Sequence, residues 1–470
     1  MKKTLFFVNF LLSACSLQTW AQLSRSDAFH QKYTLEEAVV FSRHNIRAPM
    51  AAPGSIINQV TTYQWHDFGV NSQELTMKGG VLETINGQFF HQWVVKEGLF
   101  PENAEPTDDE LLVISNSKQR TISTARHFSS SFMPMKRAIT VNHEGEIGDH
   151  DRNFTLSLMD DLTDADVAQM KAETEALYSA DSMKKVNEEL APAFELLADV
   201  IDLKNSEAYK NGTVTKFDCS DSYVTMSVGT ETAITGGTLG IAADIVDALI
   251  LQYYEEPDAQ KAAFGKTLTE DQWRQLAEIL HYRDLIRFSS PYMQQYVSKH
   301  LRDLIAQELQ QDGRKFTFLC GHDTNILNIL KAMKTKKYDM PDAIEGGTPI
   351  ASKIVFEKWR DASGNEYVAV NHVYQGLSQL RENTLLNMQT MPHIIPLQFD
   401  GITANEDGLF TLQDMVKHLT TNDDMPSGIS SASAKSNAAN ADRAYTVSGT
   451  PASDSYRGIT IKNGAKTVAK

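Results

Sequence analysis

The sequence predicts an α/β fold with an inserted, mainly helical domain, and three observations predict it. Short apolar runs at residues 38–41, 111–115 and 316–320 read as buried strands, each breaking into a polar segment at its carboxyl end. Between residues 149 and 314 strand signals give way to long runs with helical spacing. Two later runs, residues 354–359 and 367–373, alternate around Ala362-Ser363-Gly364-Asn365 and read as a hairpin.

Composition sets the outer bounds. Of 470 residues 41% are apolar and 22% charged, which is enough for a large core and two or three domains. The formal net charge of -16 argues against nucleic acid or an anionic membrane as a partner, because each rewards a basic surface. Any anion site in this chain has to be a local positive pocket.

In chain order, residues 1–21 read as an export signal, with Lys2 and Lys3 before an apolar core and Thr19-Trp20-Ala21 before the expected cut. The alternative is a lipoprotein anchored at Cys15, since Leu12-Ser13-Ala14-Cys15 resembles a lipobox. Either reading places the protein in the periplasm or otherwise outside the cytoplasm, and no later run is long enough to span a bilayer. Residues 76–98 form a helix with Leu82, Ile85, Phe89 and Trp93 on its core face. After the strand at 111–115, Ser117-Lys118-Gln119-Arg120 opens a helix that carries Ile122, Ala125 and Phe128 inward. Arg120 therefore stands in a first turn, where free amides favour an anion. His127 lies too far along that helix to join it.

Within the insert, Phe194, Leu197 and Ile201 recur at helical spacing, as do Ile241, Ile245, Ala248 and Leu249. Thr269 with Gln272 makes a capping box, and Ser290-Pro291 is a cap followed by a first-position proline. Such an insert roofs a cleft and selects what fits it. Cys320 reads as a small core residue, and whether it or Cys219 pairs is open. A last helix spans 411–419. The division expected is an α/β domain from 23–148 and 315–422, the insert at 149–314, and a flexible linker and tail over 423–470. Within that tail, 425–441 is the linker, and 443–448 and 458–470 carry weak strand patterns.

The chemistry sits at Ser42-Arg43-His44-Asn45-Ile46-Arg47-Ala48-Pro49, where a strand ends in two arginines and a histidine. Two guanidiniums offer a phosphate planar forks of donors that stay charged at physiological pH. Neighbouring cations favour a neutral imidazole, leaving a nitrogen lone pair for phosphorus. Far downstream, Gly321-His322-Asp323-Thr324-Asn325 opens a second helix after a strand. Expelling an alkoxide needs a proton donor, and Asp323 is the candidate, with His322 as a further donor to the phosphoryl oxygens. Taken singly, an Asp after such a strand is more often an N-cap than an acid; the pair of motifs moves the balance.

Together these motifs resemble those of the histidine acid phosphatases, and Asn45, where most members carry Gly, is similar to the bacterial periplasmic glucose-1-phosphatase branch. Similarity extends through Leu75 to Glu83, Ser115 to Thr121, Leu251 to Glu255 and Thr348 to Trp359, over roughly residues 30 to 420. The resemblance implies a histidine-phosphatase (phosphoglycerate mutase-like) sheet with helices on both faces. It also implies a phosphohistidine on His44, phosphate held by Arg43, Arg47, Arg120 and His322, Asp323 as the acid, and Glu255 at the substrate entrance. Asp151-Arg152-Asn153-Phe154 replaces a proline-containing turn of the relatives, and most of their disulfide cysteines are missing.

The function expected is hydrolysis of small phosphate monoesters, glucose 1-phosphate or related sugar phosphates, with no metal or other cofactor. An inositol polyphosphate phosphatase, or phytase, is the alternative within the family. A phosphosugar-binding protein without turnover is the alternative from another class; it would need the arginines but not Asp323. A metal-dependent hydrolase is disfavoured because the arginines would repel a dication, and a mutase because of the export signal. Oligomeric state is not specified by the sequence.

Overall fold

The structure, a computed structural model, describes residues 25–422 except 150 and 160, together with three short strands further on. The expected signal with Cys15, and the expected linker at 425–441, lie outside the described residues. The strands are β1 (Tyr33–Arg43), β2 (Leu111–Ser115), β3 (Tyr223–Thr225), β4 (Ala233–Thr235), β5 (Phe316–Gly321), β6 (Lys353–Asp361), β7 (Glu366–Tyr374), β8 (His393–Pro396) and β9 (Phe410–Thr411). The helices before β5 are α1 (Asp27–His30), α2 (Met77–Lys96), α3 (Gln119–Phe132), α4 (Asp164–Leu177), α5 (Ala180–Val200), α6 (Glu207–Lys210), α7 (Leu239–Glu255), α8 (Ala259–Ala262), α9 (Glu270–Arg287) and α10 (Pro291–Glu308). After it come α11 (Asp323–Ala332), α12 (Leu377–Glu382) and α13 (Leu412–Thr420).

The main sheet has the order β2-β5-β1-β6-β7-β8, with β9 paired to β7. β2, β5 and β1 are parallel, and the other pairings are antiparallel. Ser115 and Ser42 both stand opposite Cys320, so the carboxyl ends of the parallel strands are level. Whatever leaves those ends meets at one rim, where open α/β sheets place their ligands.

Burial explains the apolar runs. Ala38 and Val40 join a core shared with α2 and α3, whereas Val39 and Phe41 join one shared with α10, α11 and α13. Helices thus cover the sheet on both faces, and a strand buried on both sides loses its polar alternation. β6 and β7 pair around residues 362–365 as the hairpin pattern predicts. β3, β4, β8 and β9 are two to four residues long, too short to show a period in the sequence.

A further core gathers α5, α7 and α9 and takes in Ile46 from the loop after β1 and Leu82 from α2. Helix ends follow the expected signals: Thr269 and Gln272 cap α9 reciprocally, the Ser290 hydroxyl accepts from Met293, and Thr411 caps α13. Arg302 of α10 is wholly buried and ties the chain's later part down, donating to the carbonyls of Leu419 and Thr421 and to Asn422. Cys219 and Cys320 are buried and unpaired. No helix among the described residues is long and apolar enough to cross a membrane. In the tail, β10 (Tyr445–Thr446), β11 (Gly458–Lys462) and β12 (Ala465–Ala469) form a separate antiparallel sheet, on the two stretches with strand patterns.

Candidate active site

His44 leaves the end of β1 with 3% of its surface exposed. Its Nδ1 lies 2.8 Å from the Asn45 carbonyl oxygen, which can only accept, so Nδ1 carries the proton and Nε2 keeps the lone pair. Burial, followed by the charges of Arg120, His322, Arg47 and Arg43, holds the imidazole well below its ordinary pKa. The sequence credits the cations; burial is the larger cause.

Asn45 fixes this turn from three sides. Its N–H donates to Thr124 Oγ1 (3.1 Å), its Nδ2 to Glu83 Oε2 (2.8 Å), and its Oδ1 accepts from the Ile46 N–H (2.9 Å). Glu83 is fully buried, and Lys353 of β6 lies 3.0 Å from its other oxygen. The amino end of α2 packs hard against the same turn: a Cβ on Gly79 would stand 2.3 Å from the Ile46 carbonyl oxygen. Only glycine allows that approach.

Arg43 is buried, with Nη1 donating to Glu345 (2.7 Å) and to the Thr348 carbonyl (2.6 Å), and Nη2 3.3 Å from Asp323. Arg47 donates from Nη2 to Asp247 of α7 (2.9 Å). Arg120, near the start of α3, differs. Its Nε is buried with no hydrogen-bond partner among the described residues, and burial with the neighbouring Arg47 brings its pKa down to about 10. It stays charged near neutrality and makes no ion pair among the described residues, although the charges of Asp323 and Asp247 reach it.

His322 precedes α11, its ring centroid 5.4 Å from that of His44 at 74°. Its Nε2 lies 2.7 Å from Asn116 Nδ2. The Asn116 Oδ1 accepts the N–H groups of Ser117 (2.8 Å) and Asp151 (3.1 Å), so the amide is fixed and its NH2 faces the ring. Asp151 belongs to the turn Asp151–Phe154, and that turn is tied to α11, since Asn325 Nδ2 donates to the Phe154 carbonyl (2.9 Å). Asp323 opens α11 and accepts from the Thr324 N–H (2.7 Å). Burial pushes its pKa up, but Arg43, Arg283 and His322 outweigh burial and hold it below the ordinary carboxylate value.

The structure therefore gathers Arg43, His44, Arg47, Arg120, His322 and Asp323 around one rim. Glu255 is not among them: its carboxylate accepts from Thr76 (2.9 Å), the cap of α2, with Lys78 nearby. Asp247, two turns earlier on α7, is the residue of that helix that lines the pocket beside Asp323. Its visible signal was an acid inside the apolar run Ile245-Val246-Asp247-Ala248-Leu249. The same pocket is lined by Glu345, Arg283 and Asp284, which no motif marks. The surround is also less cationic than the motifs suggest, because Arg43 and Arg47 already hold carboxylates. Among the described residues no acidic, histidine or cysteine group is placed to hold a metal ion.

Residues 34–375 match the model of the histidine phosphatase superfamily (branch 2). The glucose-1-phosphatase of Salmonella typhimurium is 32% identical over 388 residues, 81% of this chain and 90% of its own length. That of Providencia rettgeri is 30% identical over 82% of this chain and 90% of its own. The phytase AppA of Escherichia coli is 26% identical over 83% and 93%. Among solved structures, Hafnia alvei phytase superposes with a TM-score of 0.74 at 25% identity over 85% of this chain and 98% of that one. Citrobacter braakii phytase shares the fold with a TM-score of 0.74 at 23% identity, over 84% and 100%. The chain belongs to branch 2 of the histidine phosphatase superfamily and is a histidine acid phosphatase.

Proposed function

We propose that the chain hydrolyses sugar phosphates of the glucose 1-phosphate kind through a phosphohistidine on His44. The observation that carries the reading is the bond from His44 Nδ1 to the Asn45 carbonyl, which leaves Nε2 unprotonated among three guanidiniums. In the first step Nε2 forms a bond to phosphorus as the ester P–O bond breaks. Arg43, Arg47 and Arg120 hold the equatorial oxygens, with His322, whose Nε2 accepts from Asn116, lining the site beside them, and Asp323 gives its proton to the departing oxygen. Water then attacks phosphorus, giving a proton to Asp323, as the P–N bond breaks, returning the lone pair to His44 Nε2 and releasing phosphate.

Asp323 rests as a carboxylate beside Arg43. A phosphate dianion competes for that guanidinium and raises the proton affinity of Asp323, so substrate itself prepares the acid. Activity at acid pH follows, since the proton must be available from solvent.

Substrate choice rests on charge. Arg43, Arg47 and Arg283 each hold a carboxylate already, from Glu345, Asp247 and Asp284, whereas Arg120 makes no ion pair among the described residues and feels Asp323 and Asp247 only at longer range. Such a site takes one phosphate and then offers carboxylates to the rest of the molecule, which suits hydroxyls and repels further phosphates. Inositol polyphosphates are the second reading, favoured by the phytase folds. Turnover of glucose 1-phosphate against phytate at acid pH distinguishes them: a several-fold preference for the sugar phosphate is expected, and preference for phytate would reverse the assignment. Full activity in His44→Ala would exclude the covalent route, and tight binding without phosphate release would favour a phosphosugar-binding protein. Residues 1–21 support export, by cleavage after Ala21 or by lipidation at Cys15.

A further inference from the structure

The proton donor is reached from above as well as from below. α9 crosses the pocket that holds Asp323 and contributes His281, Arg283 and Asp284 to its lining, while α7 contributes Asp247. Arg283 is held rigidly there. Its Nε and Nη2 donate to the two oxygens of Asp284 at 2.9 and 3.1 Å, and its Nη1 lies 3.5 Å from Asp244. A guanidinium gripped by a two-point fork loses most of its rotamer freedom and presents its charge in one place.

We infer that Arg283 is a positioning residue for the acid step: with Arg43 it brackets Asp323 and sets the pH at which that carboxyl can pass a proton to the leaving oxygen. The inference rests on Asp323 being the acid of the proposed mechanism. The groups facing Asp323 are Arg43 from the end of β1, Arg120 from α3, His322 beside it, His281, Arg283 and Asp284 from α9, Asp247 from α7, and Glu345 from the loop before β6. Their roles divide once substrate enters. Arg43 and Arg47 turn to the phosphate. Arg283 lines the same pocket as Asp323 and, held there by Asp284 and Asp244, keeps its charge near the carboxyl throughout. It favours the carboxylate, so it opposes protonation before transfer and stabilises the anion that transfer leaves behind.

The test is the alkaline limb of the pH profile with two esters, measured on the whole protein. Glycerol phosphate leaves as an alkoxide that needs a proton; p-nitrophenyl phosphate leaves as a phenolate that does not. Arg283→Gln and Arg283→Met are expected to move the limb of kcat with the alkyl ester upward by about one pH unit, the order of magnitude for removing a nearby charge. The limb with the aryl ester should stay, and Arg283→Lys should keep the wild-type limb for each ester. Near-native circular dichroism in the neutral variants keeps the comparison within the folded state. An unmoved limb for the alkyl ester, or an equal shift with both esters, would overturn the inference while leaving the phosphatase reading standing. Failure of the wild type to release phosphate from either ester would overturn both.

Discussion

In the proposed mechanism one hydrogen bond leaves Nε2 of His44 as the reactive nitrogen, and the charges around Asp323, Arg43 foremost and Arg283 next, keep that carboxyl ionised until an anion arrives. Asp323→Asn is therefore expected to cost about 10²–10⁴-fold in kcat on an alkyl phosphate and far less on p-nitrophenyl phosphate. Equal losses on the two esters, measured by phosphate release, would remove Asp323 from the acid role. The residues just named were legible because the motifs that bear them are contiguous: Arg43, His44 and Arg47 within five positions, His322 and Asp323 side by side. Asn116, Asp247, Arg283 and Glu345 were not. Each acts through a partner hundreds or tens of residues away, and nothing in its own neighbours says which partner that is. Glu255 shows the same limit from the other side, since placing α7 correctly did not say which of its turns faces the pocket.

At the scale of elements, the site is a meeting of three strand ends with the amino ends of α2, α3 and α11. Parallel register brings the strand ends level, and capping residues bring the helices in close. Gly79 is where that closeness is most demanding. Gly79→Ala puts a methyl against the Ile46 carbonyl, and overpacking of this kind costs about 1–3 kcal/mol. A lowered melting temperature together with a lower kcat/KM is expected, because the displaced turn carries His44 and Arg47; an unchanged turnover would show that the turn is slack. Strands and long helices were readable from period and caps, whereas short strands such as β9 owe their existence to the partner they pair with. Packing also qualifies the expected division of the chain: α10, placed in the insert by its position before residue 315, lies against the sheet with α11 and α13. We propose that it serves as a shared wall between roof and floor.

For the molecule as a whole, buried titratable groups set the response to pH. Burial raises Glu37 of β1 from 4.5 to about 8, with Lys358 opposing and Glu308 adding to the rise, and Glu97 and Asp151 lean the same way. An acid whose folded pKa is raised holds a proton that the unfolded chain has already lost. Its contribution is full below about pH 4.5 and is lost as pH climbs through about 8. Buried histidines pull the other way: burial lowers the pKa of His44, His281, His300 and His372, so at pH 5 the unfolded chain binds protons that the folded one does not. Glu37→Gln is therefore expected to make stability, read from thermal melts, rise more or fall less between pH 5 and pH 8 than it does in the wild type. A slope unchanged in the variant would assign the effect elsewhere. The acidic composition, by contrast, said nothing of where the carboxylates are buried, because −16 is a sum over the surface and the interior alike. The two unpaired, buried thiols carry a practical consequence: Cys219 and Cys320 sit within packed hydrocarbon, not in a cross-link, so the described fold owes nothing to an oxidising environment. A host cytoplasm rich in glutathione can therefore produce it in native form, and dithiothreitol in the storage buffer has no bond in it to break.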